Sequence, residues 1–187
     1  MTLLSTLSHD DGSSCDLSDP FSYIAIEEFY HTRILKDVLD IVGLDMQLLP
    51  PPPVSRFMGR AITHLPRPIA DTIIFSAEIA GVGVFSLLRD KAYEFFHGQR
   101  ESYRRIDDLF QQILVDEVGH VHYAKSQLGP AQVWIAQKML PWITRGFLSD
   151  IPEYKLLFGD KLMETVLKAD VDSAVERYSD KFVPRYQ

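Results

Sequence analysis

With 187 residues, 46% of them hydrophobic, the chain suits a single domain, residues 1–187, with a substantial core. A formal charge of −7, from 26 acidic and 19 basic residues, leaves no basic face broad enough for nucleic acid or an anionic membrane, and both are set aside as partners. The single cysteine, Cys15, excludes an intramolecular disulfide framework and any Cys-x-x-Cys metal module, so a reducing compartment, the cytoplasm, fits best.

Residues 1–19 read as an irregular segment rich in Ser, Asp and Gly, without the basic start and apolar run of a signal peptide. Ser18-Asp19-Pro20 is a helix-start signal with proline in the first turn; it predicts a first helix from Pro20 to Val42, stopped by Gly43. The consecutive prolines Pro50 to Pro53 then force an extended crossover. Pro66 and Pro68 precede a long apolar helix predicted from Ile69 to Phe96 and closed by His97-Gly98. Its most apolar run, Ile73 to Leu88, is shorter than the roughly 18 residues of a membrane-spanning helix and carries Glu78, so a buried soluble helix explains it better. A third helix is predicted from Gln99 to Gln127, ending before Gly129-Pro130. The C-terminal extension, residues 128–187, holds two further predicted helices, Ala131 to Leu148 and Asp160 to Tyr178. Ser149-Asp150-Ile151-Pro152 and a short turn join them, and Trp134, Trp142 and Phe147 read as core. No stretch alternates as a strand, so the class is all-α.

Ligand-type residues interrupt the apolar stripes of these helices. In the first, Ile24, Glu28, His31, Leu35, Val38 and Val42 recur at steps of three or four and share one face. The third repeats the arrangement with Ile106, Phe110, Ile113, Glu117, His120 and Ala124. In the second, Ile74, Glu78, Gly81, Phe85, Leu88 and Ala92 form the matching stripe, and Glu78 is the only charged residue between Asp71 and Arg89. Buried carboxylates that approach one another raise each other's pKa, and a cation satisfies them most simply. Oxygen donors with two imidazoles and no thiolate favour iron, with manganese or a mixed Fe/Mn pair as the alternative. A third pair at the same spacing, Glu94 and His97, lies on another face at a polar helix end and reads as a solvated terminus.

Glu-x-x-His on two helices, with lone inward Glu residues on others, resembles the ligand set of the ferritin-like di-iron carboxylate superfamily. The resemblance spans roughly residues 20–127. It implies an antiparallel four-helix bundle with the additional C-terminal helices appended, two iron ions, and metal ligands Glu28, His31, Glu78, Glu117 and His120. The doubled acids in Glu27-Glu28-x-x-His31 and Asp116-Glu117-x-x-His120 are similar to those of bacterial multicomponent monooxygenases and ribonucleotide reductase small subunits. By that likeness Asp116, and less directly Glu27, would orient the ligand histidines. The sequence departs from the pattern at one place: no Glu precedes Glu27, so the family's first helix is short or missing, with Leu3 to Ser8 as its remnant and Asp10 or Asp11 as substitute ligands.

The function so implied is an oxidoreductase that activates dioxygen to oxidise or hydroxylate a small organic substrate. An external electron donor is implied as well, because no nucleotide fingerprint or cysteine cluster is present; a homodimer is compatible with this reading. Two other readings stay open, an iron-handling ferroxidase and a non-catalytic helical protein with an incomplete metal site. The Glu and His residues could also form a metal-free salt-bridged network, with Glu78 paired to Arg60 or Arg104. Ala77, Ala80, Gly81 and Gly83 either permit close helix packing or leave room beside the metals.

Overall fold

The computed structural model describes residues 20–44, 62, 64–149, 151–159 and 162–168. Among these the only regular elements are α-helices: α1 (Pro20–Ile41), α2 (Arg67–Phe96), α3 (Arg100–Ser126), α4 (Pro130–Ser149), α5 (Pro152–Phe158) and α6 (Leu162–Leu167). The protein is all-α, as the patterning predicts. It divides into two compact units, Met1–Thr63 and His64–Gln187. The proline crossover 50–53, Arg60, the N-terminal segment with Asp10 and Asp11, and the predicted helix beyond residue 168 lie outside the described residues.

In the N-terminal unit, α1 starts at Pro20 and its end is fixed by glycine chemistry. Gly43 adopts φ 76°, the left-handed conformation that only glycine takes up without steric cost. The Gly43 amide donates to the Asp40 carbonyl at 3.1 Å and the Leu44 amide to the Leu39 carbonyl at 2.9 Å, capping the last turn. Among its described side chains Ile24, Glu27, His31 and Ile34 are buried, so Ile24 and His31 of the predicted stripe lie inward, while Glu27 and Ile34 are more deeply buried than the predicted Glu28 and Leu35.

The C-terminal unit is organised around α2. The short link His97-Gly98-Gln99 turns the chain back, and contacts between α2 and α3 show the antiparallel register: Glu78 meets His120, Arg89 meets Asp107 and Tyr93 meets Tyr103. Phe75 and Val82 of α2 pack with Leu114, Val118, Val121 and Ala124 of α3 and Ala136 of α4 in one core cluster. Ala80 packs with Leu162 and Val166 of α6 in a second. Packing on more than one side explains why α2 is apolar around most of its circumference. By length and composition alone α2 is also long and apolar enough to cross a membrane, and a multiply packed core helix passes the same test.

Polar groups fix the approach of α2 and α4. The Ser76 hydroxyl lies 3.0 Å from the Thr72 carbonyl and 3.1 Å from that of Ala136. Gln132 donates to the Pro68 carbonyl at 3.1 Å and accepts from the Gly129 amide at 2.9 Å, satisfying an N–H at the start of α4. Between α2 and α3, the half-buried Asp107 carboxylate accepts from Arg89, from Gln111 at 3.2 Å and from the Tyr103 phenol at 3.4 Å. Burial first, and then the Asp107 charge, push the Tyr103 phenol above its ordinary range.

Two expectations fail in the C-terminal region. The segment read as a linker contains α5, because Pro152 sits in a first helical turn, where its missing N–H costs nothing and its fixed φ favours the helix. Gly159, at φ 67°, ends it. Trp134 and Trp142 do not enter the core: they are 60% and 74% exposed. The buried side of α4 is carried by Ala136 and Thr144, small residues that bring its backbone close, and the indoles stand on the other side. The side chain of Phe147 lies outside the described residues.

At Gly83, α2 and α6 lie in tight contact. A Cβ there would stand 3.0 Å from the Val166 Cα and 3.1 Å from its carbonyl oxygen, atoms that cannot swing aside. Gly83→Ala is therefore expected to destabilise the protein by about 1–3 kcal/mol, the usual cost of overpacking. Urea denaturation beside the wild type checks this; equal midpoints would show that α6 yields freely.

Candidate metal centre

The site is built on the α2–α3 pair. Steps of three and four along α3 place Ile106, Phe110, Ile113, Glu117, His120 and Ala124 on its buried side, where apolar neighbours hold the helix against α2. Glu117 is 3% exposed and His120 fully buried. From α2, Glu78 reaches them with its side chain 13% exposed, and its Oε2 lies 3.5 Å from the His120 Nδ1. Glu78 thus pairs with histidine, while Arg104, its alternative partner by sequence, is exposed.

One ligand atom from each of Glu78, Glu117 and His120 falls within 4.8 Å of the others, so these residues could hold a metal ion. Donors about 2.1 Å from one ion stand at most ~4.2 Å apart, so side-chain shifts of a few tenths of an ångström complete such a site. Charge argues the same way. Two carboxylates and one imidazole, taken by themselves, keep a net negative charge even when the imidazole is protonated, and a cation neutralises them.

Gly81 supplies the room. A Cβ on Gly81 would stand 2.8 Å from Glu117 Oε2 and 3.5 Å from its Cδ, so the absence of a side chain on α2 admits the carboxylate of α3. Neither reading of the small residues identified this partner, since the contact joins positions far apart in the chain. Gly83, by contrast, serves helix packing.

In the N-terminal unit, Glu28 and His31 sit side by side on α1, with Nδ1 to Oε1 3.9 Å; the Glu28 side chain is 42% exposed and that of His31 is buried. Glu27, the acid assigned the lesser role, is buried at 6%. Asp116 is half-buried on α3. The third pair is solvated: Glu94 bonds Lys91, and His97 Nδ1 lies 3.0 Å from the Glu94 carbonyl oxygen. Asp10 and Asp11 lie outside the described residues.

No family model, no curated protein and no solved structure matches the chain. Its chemistry therefore rests on its own side chains. Within the C-terminal unit these amount to a buried oxygen-rich donor set with one imidazole, the donor chemistry of a hard to borderline divalent cation.

Proposed function

We propose that the protein is a di-iron oxidoreductase that uses dioxygen to oxidise or hydroxylate a small organic substrate. The observation that carries this reading is the convergence of Glu78, Glu117 and His120, a donor set without thiolate, inside a packed helical pair. In this proposal Glu28 and His31 of α1 would supply the rest of the ligand set, and each Glu-x-x-His pair would contribute one imidazole. Manganese, alone or with iron, satisfies the same donors. When bound, the metal pair would supply the electrons and the coordination positions that dioxygen activation needs.

The chain's own groups have separable tasks. Glu117 and His120, deeply buried on a rigid helix, hold their donor atoms in fixed positions and keep water away. Glu78, the most exposed of the three, is the ligand free to change its mode of attachment. Asp116 and Glu27 orient the histidines. Reducing equivalents come from a separate donor, because the sequence has one cysteine and no nucleotide-binding fingerprint.

The 3.5 Å approach of His120 to Glu78 favours one second reading, a metal-free ion pair in a non-catalytic helical protein. Anaerobic reconstitution with ferrous iron separates the two. We expect about two irons per chain in the wild type, little in Glu117→Ala, wild-type content in Glu94→Ala, and a change in visible absorption when oxygen is admitted. A folded wild-type protein that takes up no specific metal would sink the oxidoreductase reading and leave the ion-paired scaffold.

A further inference from the structure

We infer that the outer face of α4 docks on the interfacial region of an anionic lipid bilayer. Helix α4, PAQVWIAQKMLPWITRGFLS, contains no acidic residue, and its only charges are Lys138 and Arg145, in a chain of net charge −7. Ala136 and Thr144, 1% and 0% exposed, bind the helix to its own unit. Trp134, Lys138, Trp142 and Arg145 follow one another at steps of four, four and three and so form a single line along the other side. Both indoles are open to solvent, and Ile135, 43% exposed, extends the apolar surface beside Trp134. The Lys138 ammonium stands 5.8 Å from the Trp134 ring centroid, and Arg145 stands at the same distance from Trp142.

This alternation is the chemistry of a bilayer interface. Indole rings partition to the headgroup level, apolar body inward and N–H toward water. Lysine and arginine bury their stems along apolar surface while their charged ends reach lipid phosphates. Other occupants fit less well. A two-fold dimer through this face would set the same cationic line against itself, and two cations on an acidic protein are too few to hold nucleic acid. Chain-wide charge, which argues against membrane contact, is an average, and α4 departs from it.

The chain's two tryptophans are the two on this line, so tryptophan emission, excited selectively over tyrosine, reports on the face alone. The inference is independent of the metal, and metal-free protein serves for the test. With vesicles of phosphatidylcholine and phosphatidylglycerol, emission should shift to the blue and be quenched by brominated acyl chains. Phosphatidylcholine alone should bind at least tenfold more weakly. Lys138→Glu combined with Arg145→Glu, both exposed changes, should lower anionic-vesicle binding at least tenfold with an unchanged circular dichroism spectrum. Unshifted emission at saturating anionic lipid would overturn the inference, as would equal binding by the charge-reversed variant. A blue shift that grows with protein concentration without lipid, together with a dimer in sedimentation, would also overturn it and assign the face to contacts between copies.

Discussion

Gly81→Ala is expected to lose metal affinity by at least tenfold while keeping its fold. The added methyl would stand 2.8 Å from Glu117 Oε2, closer than a Cβ and a non-bonded oxygen remain, so one of them must move. The carboxylate moves, because it ends a flexible side chain, whereas α2 is fixed by the cores through Phe75, Val82 and Ala80. Folding cost is therefore small, and Ala even favours the helix over Gly by roughly 1 kcal/mol. Metal binding bears the loss, since a displaced Glu117 no longer shares an ion with Glu78 and His120; a tenfold drop corresponds to about 1.4 kcal/mol. Anaerobic metal titration alongside urea denataturation measures both. Unchanged affinity would mean that Glu117 is not a ligand, or binds from another rotamer.

The second large effect is a stability cost of one mutation that depends on metal. Without metal, the Glu117 carboxylate is buried close to that of Glu78, a like-charge repulsion that Glu117→Leu relieves, so the substitution should cost less stability in the metal-free protein than in the metal-bound one. With metal at a hundred times its dissociation constant the wild type should gain about 2.7 kcal/mol, a gain the variant lacks. Thermal melts of both proteins, with and without ferrous or manganous ion, give the four values. A metal-free Glu117→Leu protein several kcal/mol less stable than wild type would show that the carboxylate is held by protein groups alone. The network would then be structural.

The helical class and the ends of the long helices were legible because the signals are local. Pro20 opens α1 and Gly43 stops it; Pro68 lies in the first turn of α2; Gly129 precedes α4. Periodicity placed Glu117 and His120 on the buried side of α3, because this helix has one apolar face and a polar remainder. On α1 the same reasoning chose Glu28 over its neighbour Glu27, and the more deeply buried of the two is Glu27. Adjacent helical positions differ by about 100°, so an apolar stripe with tolerance for either leaves the inner acid undecided.

The residues alone thus determined an all-helical protein and a set of Glu and His positions suited to a cation, since capping, helical period and ligand chemistry are properties of neighbours in the chain. Tertiary structure decided which partners they meet. It set Gly81 against Glu117 and Glu78 against His120, and left Trp134 and Trp142 in solvent. A tryptophan at helical spacing signals an apolar line but not its side of the helix. On α4 that was settled by the small residues Ala136 and Thr144, which let its backbone approach α2 and turned the indoles outward.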